Sequence, residues 1–365
     1  MSGIERRFVG LASPVVGRAG AGGHPCQGLY HTPLGRRPRV AFVATHYNID
    51  FAQHHLAEPL ARRGFGFLGW NTRFRGAEAY FRLDHAVAEI GVGIRWLREE
   101  VGVEQVVLLG NSGGGSLMAA YQAAAVAPGT VADESLGRLA PAQLYVSVAA
   151  HPGRPDVFTA WLDPSVADEG DPVATTADLD LYDPARTVPL DPAWVARYRA
   201  AQEARNRRIT AWVEAERDRL RAAGHPDRLF TVARLWADPR FVDPTLDPND
   251  RPTPWCYLGH PARANRGIHG VGVVSSLRTW LEMWSLDRSG CRSGPHLARI
   301  TVPSLVVQAA ADSGVFPCDA AAIHDGLASA DRRLVTLPGD HYFVEPAGAR
   351  DDLADTVAAW VAERT

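Results

Sequence analysis

Short continuous apolar runs recur through the first 150 residues, and each is followed by a stretch with apolar positions at helical spacing. Val40-Ala41-Phe42-Val43-Ala44 reads as a central parallel strand covered on both faces. Residues 53–63 follow as a helix closed by Gly64, and Gly66-Phe67-Leu68-Gly69-Trp70 is the next strand. Residues 84–100 place Val87, Ile90, Ile94 and Leu97 on one helical face. Val106-Val107-Leu108-Leu109 is a buried strand running into a helix that begins near Leu117, and Leu144-Tyr145-Val146-Ser147-Val148-Ala149-Ala150 is a further strand. Ahead of these, one or two short strands are expected around residues 7–11 and 27–31, with Gly, Ala and Pro marking the loop between them. Strand and helix alternate, which predicts an α/β fold with a mostly parallel sheet and helices on both faces.

The alternation stops near residue 153. Residues 163–192 are rich in Asp, Pro and Thr, and residues 194–223 read as a long charged amphipathic helix or a helix pair. A second Asp- and Pro-rich stretch covers 240–254, and residues 275–284 are helical and apolar. Seven of the ten tryptophans fall here: Trp161, Trp194, Trp212, Trp236, Trp255, Trp280 and Trp284. Most are expected to form this segment's own small core. An insertion so rich in aromatics, set between sheet strands, also reads as a mainly helical cap or lid over a ligand cleft. The sheet resumes with residues 300–309 and 333–337, and residues 351–363 form the closing helix. The expected organisation is a core of residues 1–152 and 298–365 with a cap of residues 153–297.

The bulk numbers narrow the function classes. The net charge of −3 offers no basic field for nucleic acid. No apolar run reaches the ~20 residues needed to span a bilayer, and the N-terminus has no apolar signal region, so a cytoplasmic protein is expected. Cys26, Cys256, Cys291 and Cys318 are scattered, as incidental thiols are rather than a zinc or disulfide set. All 38 basic residues are arginine, which excludes a P-loop lysine and Schiff-base cofactor chemistry. No cofactor or metal is called for; the expected partner is a small-molecule substrate, and a homo-oligomer is compatible with these numbers.

The chemistry centres on Gly110-Asn111-Ser112-Gly113-Gly114, a G-x-S-x-G between strand and helix. In that context a sharp turn projects the serine Oγ into a cleft. Glycines flank it because side chains there would clash, and the Gly113 amide lies at the positive end of a helix. The alternative, a phosphate cradle, wants G-x-G-x-x-G or a Lys-Ser/Thr ending, and neither is present. A serine hydroxyl needs a base, and the base a partner that fixes its tautomer. Asp312 and His341 each stand in the loop after a late strand, at the sheet edge where such folds place their sites. Asp312 could instead cap the next helix. Asp340 is a rival acid, although an adjacent residue normally points away from its neighbour's ring. His46, His54, His55, His151 and His269 compete with His341, but only His341 follows the last strand, with Gly339 before it to permit the turn.

With these residues the chain resembles the α/β-hydrolase superfamily, in its esterase- and lipase-like serine-hydrolase branch with a cap inserted after the sixth strand. The resemblance covers about residues 38–150 and 298–365. It implies Ser112 as nucleophile, His341 as base, Asp312 as the orienting acid, and an oxyanion hole from the Gly113 amide plus an amide after the early strand. Where the family usually has His-Gly, this chain has His46-Tyr47-Asn48; Asn48 is the first choice for the second amide and Tyr47 the second, with His46 beside the substrate. Trp280 and Trp284, four apart on one helix, are the candidates for a pocket wall, with packing onto the sheet as the equal alternative. The resemblance implies hydrolysis of a carboxylic ester or lactone of a mid-sized apolar or aromatic substrate through an acyl-enzyme. A carbon–carbon bond hydrolase or thioesterase with the same triad is the alternative, and a non-catalytic ligand-binding module is the reading from another class.

Overall fold

The structure, a computed structural model, describes residues 3–15, 22–131 and 138–365. The chain divides into two compact units. One comprises Met1–Ala77, Arg82–Gly153 and Arg292–Thr365; the other comprises Glu78–Phe81 and Arg154–Cys291.

The first unit begins with β1 (Ile4–Leu11), β2 (Cys26–Pro33) and β3 (Val40–Ala44), then α1 (Ala57–Arg62), β4 (Gly66–Asn71), α2 (Leu83–Trp96), β5 (Gln105–Ser112), α3 (Gly114–Val126) and β6 (Leu144–Ala150). The early strands are longer than their apolar cores suggested, because β1 and β2 pair over eight residues from Ile4↔Pro33 to Leu11↔Cys26. The loop expected between them includes residues 16–21, which lie outside the described residues. The second unit supplies α4 (Arg154–Trp161), a hairpin of β7 (Val166–Asp168) and β8 (Asp171–Thr175), α5 (Pro192–Ala222), β9 (Leu229–Thr231), α6 (Pro261–Asn265), β10 (Val274–Ser276), which pairs with β9, and α7 (Leu277–Thr279). The chain returns to the first unit with α8 (Gly294–Leu297), β11 (Ser304–Ala309), α9 (Pro317–Gly326), β12 (Arg332–Leu337) and α10 (Ala349–Ala362).

Eight strands form one sheet in the order β1-β2-β4-β3-β5-β6-β11-β12. From β4 to β12 the pairing is parallel, while β1 and β2 join antiparallel. β3, β6 and β11 are buried along their whole length, as expected for central strands covered on two sides. β1 and β12 stand at the edges with mostly exposed side chains; Glu5, Arg6 and Arg7 on β1 discourage further strand addition. On one face Phe42, Val107, Val146 and Val307 pack against Leu60, Leu353, Val357 and Trp360 of α1 and α10. Each fully buried aliphatic side chain there contributes roughly 1.5–3 kcal/mol. On the other face Gly93 of α2 lets the helix close onto Trp70, whose indole donates to the Glu89 carbonyl at 2.9 Å.

In the second unit, α5 is one helix of 31 residues, since nothing after Pro192 breaks it and Asp191 caps it by accepting from Trp194 N at 2.8 Å. Its buried stripe runs Trp194, Tyr198, Gln202, Arg205, Ile209 and Val213. The Arg205 guanidinium, fully buried, holds both carboxylate oxygens of Glu169 (2.8 and 2.7 Å) and three backbone carbonyls, so its donors are satisfied. Five of the unit's seven tryptophans are buried, while Trp212 and Trp255 are exposed. The segment expected to be helical over 275–284 starts instead as β10, and Trp280–Trp284 is a single wide π-helical turn.

The loop after β4 is anchored by a buried ion pair in the first unit. Glu89 accepts from Arg73 Nε at 2.5 Å and from Arg73 N at 2.8 Å, and Arg73 Nη2 reaches Ser13 Oγ and the Val15 carbonyl. Removing one partner of such a pair leaves an uncompensated charge. We expect Glu89→Gln to cost ~3–5 kcal/mol in urea unfolding. A loss under ~1 kcal/mol would mean that the Ser13 and Val15 contacts suffice for Arg73.

Candidate active site

β5 passes into α3 almost without a linker: Ser112 ends the strand, Gly113 caps the helix and Gly114 begins it. Ser112 has φ 56°, a left-handed conformation that costs a non-glycine residue about 1–3 kcal/mol. The surrounding backbone leaves no room for relaxation. A Cβ on Gly114 would lie 2.3 Å from the Thr45 carbonyl oxygen, and one on Gly110 would lie 2.6 Å from the Gly115 Cα. The flanking glycines are therefore required by close backbone approach. The Gly113 amide donates to no acceptor among the described residues and sits at the positive end of α3.

Asp312 follows β11 and His341 follows β12, on loops tied together by Ala310 N to the Leu337 carbonyl (2.9 Å) and Ala311 N to the Gly339 carbonyl (2.8 Å). His341 Nδ1 lies 2.7 Å from Asp312 Oδ2. The other Asp312 oxygen accepts from the amides of Gly314 and Val315, both at 2.9 Å, and the carboxylate is fully buried. It therefore faces the imidazole in one fixed orientation. Asp340 is turned away: its Oδ1 accepts from Val344 N at 2.7 Å and closes the loop that carries His341. His151, the residue after β6, links the two regions of the site. Its amide donates to the Ser112 carbonyl at 3.1 Å, and its ring lies 6.3 Å from that of His341.

The segment after β3 runs beside the serine turn. Tyr47 Oη pairs with Ser116 Oγ of α3 at 3.0 Å, so this side chain packs inward. His46 is buried, and its Nδ1 accepts from the amides of Asn48 (3.4 Å) and Ile49 (3.3 Å). The loop after β4 holds the segment from the other side: Asn71 Oδ1 accepts from Phe51 N (2.8 Å), Asn71 Nδ2 donates to Asp50 (2.7 Å), and Gly76 N donates to the Asn48 carbonyl (2.8 Å). Trp280 and Trp284, by contrast, have no exposed surface. They pack with Phe158 inside the second unit, Trp280 Nε1 donating to Thr210 Oγ1 at 3.0 Å. They are core side chains and offer no wall to a ligand.

One contact at the site was not anticipated. His54, named only as a competing histidine, donates from Nε2 to Asn111 Oδ1 at 3.2 Å, while its Nδ1 accepts from Leu56 N at 3.2 Å. Asn111 also donates to the Val148 carbonyl at 2.9 Å, so the residue before Ser112 is pinned from both sides. The signal in the sequence was an amide side chain at the variable position of G-x-S-x-G, but nothing local named its partner. Burial pushes the His54 imidazole down to about 4, with the Arg350 charge adding to the shift and the Asn111 bond opposing it.

No protein-family model matches the chain, and no curated protein matches it in sequence. Solved structures match it in fold. The α/β hydrolase GrgF from Penicillium sp. sh18 is similar at a TM-score of 0.53 and 11% identity, covering 98% of this chain and 97% of that one. DcsB, in complex with its substrate analogue, is similar at 0.55 and 13%, covering 98% and 99%. Brefeldin A esterase, a bacterial homologue of human hormone sensitive lipase, is similar at 0.51 and 14%, covering 100% and 78%.

The His54 environment predicts acid sensitivity. The unfolded chain binds a proton at this residue below about 6.5, the folded chain only below about 4, so stability is full above 6.5 and is lost as pH falls from 6.5 to 4. The shift corresponds to about 3 kcal/mol. Urea unfolding at several pH values should show this loss. His54→Gln, which keeps a donor for Asn111 and cannot titrate, should reduce the slope; an unchanged slope would assign the acid sensitivity to other groups.

Proposed function

We propose that this chain, which has the α/β-hydrolase fold, is a serine hydrolase that cleaves a carboxylic ester or lactone through an acyl-enzyme. The observation that carries the proposal is the buried Asp312–His341 pair at the same sheet edge as a serine held at positive φ. Fold alone would not, since many unrelated functions share it. In the proposed reaction His341 removes the Ser112 proton as Oγ attacks the acyl carbon, and Asp312 holds the ring with Nδ1–H toward itself and Nε2 toward the serine. The negative charge on the tetrahedral intermediate is met by the Gly113 amide and by a second amide, assigned to Tyr47 rather than to the first choice Asn48, because Asn48 N already donates to His46 Nδ1 at 3.4 Å. The protonated His341 then gives its proton to the leaving alcohol, and water repeats the sequence on the acyl-enzyme. Trp280 and Trp284 have no part in this proposal; a mid-sized apolar substrate remains its selectivity expectation, tested by chain length and ring size in an ester panel.

The test is labelling with a fluorophosphonate followed by turnover on aryl and alkyl esters, lactones and thioesters. We expect stoichiometric labelling at Ser112 and ester or lactone turnover, with Ser112→Ala abolishing the label and lowering kcat at least ~10³-fold. Asp312→Asn should leave the fold intact and lower kcat by a similar order. A folded protein that neither takes the label nor turns over any ester is a binding module instead. Labelling without ester or lactone turnover would move the chemistry to thioesters or carbon–carbon bonds.

A further inference from the structure

The first unit contains a cavity of about 540 Å³ that none of Ser112, Asp312 and His341 lines. Its walls come from β1, β2, the segment leading into α1, α1 itself, and the start of α10. The volume falls in the range of small-molecule sites.

The charges around it are not balanced. Arg6 and Arg62 both bind one carboxylate, that of Glu58, Arg62 at 3.0 Å. Arg350, in the first turn of α10, has no carboxylate within salt-bridge distance among the described residues; its Nη2 donates only to the Tyr342 carbonyl, at 3.3 Å. A cation in a helix's first turn also opposes the helix dipole. The cavity's other acid, Asp351, lies 3.3 Å from Arg63, which Asp355 holds more closely at 2.6 Å. Three guanidiniums thus share the wall with two carboxylates, Glu58 held by two of them and Asp351 lying against an arginine outside the cavity. The remaining titratable wall groups add no negative charge. His31, His54 and His55 all have lowered pKa values, burial being the first cause; the Arg6 charge adds to it at His31 and the Arg350 charge at His54 and His55. The wall therefore carries one more guanidinium than carboxylates, an excess that suits an anion.

We propose that this cavity is a binding site for the phosphate group of a small polar phosphate monoester, with Arg350 as its principal anchor and Arg62 and Arg6 as the facing pair. Guanidinium forks suit tetrahedral oxyanions, which accept several charge-assisted hydrogen bonds at once. A phosphate monoester carries about −1.5 to −2 charges near neutral pH and three acceptor oxygens where a carboxylate has two, one for each of the three guanidiniums. The cavity exceeds the volume of phosphate alone, leaving space for a polar body against Gln53 and the histidines. None of Ser112, Asp312 and His341 lines it, so its test does not depend on the hydrolytic proposal.

Isothermal titration at low salt with glycerol 3-phosphate, inorganic phosphate and glycerate tests this. The expected result is saturable one-to-one binding of glycerol 3-phosphate, weakened at least ~10-fold by Arg350→Gln and by Arg62→Gln, with glycerate much weaker. Arg62 is a half-exposed helix side chain, so its variant reports on the site even if Arg350→Gln misfolds. Inorganic phosphate binding as tightly as the ester, with the same sensitivity to both substitutions, also supports the phosphate site. No saturable binding below ~10 mM, binding that survives both substitutions, or glycerate equal to the phosphates would overturn it.

Discussion

A carbonyl oxygen of Thr45 occupies the space where residue 114 would carry a Cβ, and this contact constrains the whole centre of the first unit. It brings the end of β3 against the first turn of α3. The turn at Ser112 is strained, and a strained residue persists only when its surroundings over-determine it. Here they do: β6 pairs with the end of β5, the His151 amide takes the Ser112 carbonyl, and Asn111 is held by Val148 and His54. The geometry of the serine turn is thus fixed by contacts on both sides of Ser112.

The two units use buried charge in different ways. In the first, Arg73–Glu89 fixes a loop whose neighbours Asn71 and Gly76 hold the segment after β3. In the second, Arg205, Asp163 and Asp238 are each fully buried and each bound by several partners, beside an apolar core that includes five buried tryptophans. Such pairs add little net stability over apolar packing but penalise every alternative arrangement that would leave one charge alone.

The elements with strong local patterns were legible. The continuous runs of β3, β5, β6 and β11 read as buried strands, and the glycines of the G-x-S-x-G stretch have a steric reason that follows from the sharpness of the turn alone. The position of His341 after the last strand followed from chain order. What local pattern could not supply was pairing over distance. Trp280 and Trp284 have the spacing of a pocket-lining stripe and of a core stripe alike, and only the presence of Phe158 and Thr210 around them decides for the core. The same holds for β1 and β2, whose antiparallel pairing extends strands that look short in sequence.

By itself, then, the sequence determined the periodicities, the turn that only glycine permits, and the order in which serine, acid and histidine arrive at one edge of a parallel sheet. These are properties of neighbours along the chain, set by sterics and by which faces must be buried. The tertiary structure decided which of 13 histidines meets a buried carboxylate, that Asp312 rather than Asp340 turns toward it, and that His54 secures the residue before Ser112. Those choices rest on single hydrogen bonds between residues about 29 and 57 positions apart. A hydrogen bond is a matter of ångströms and angles that no local pattern encodes.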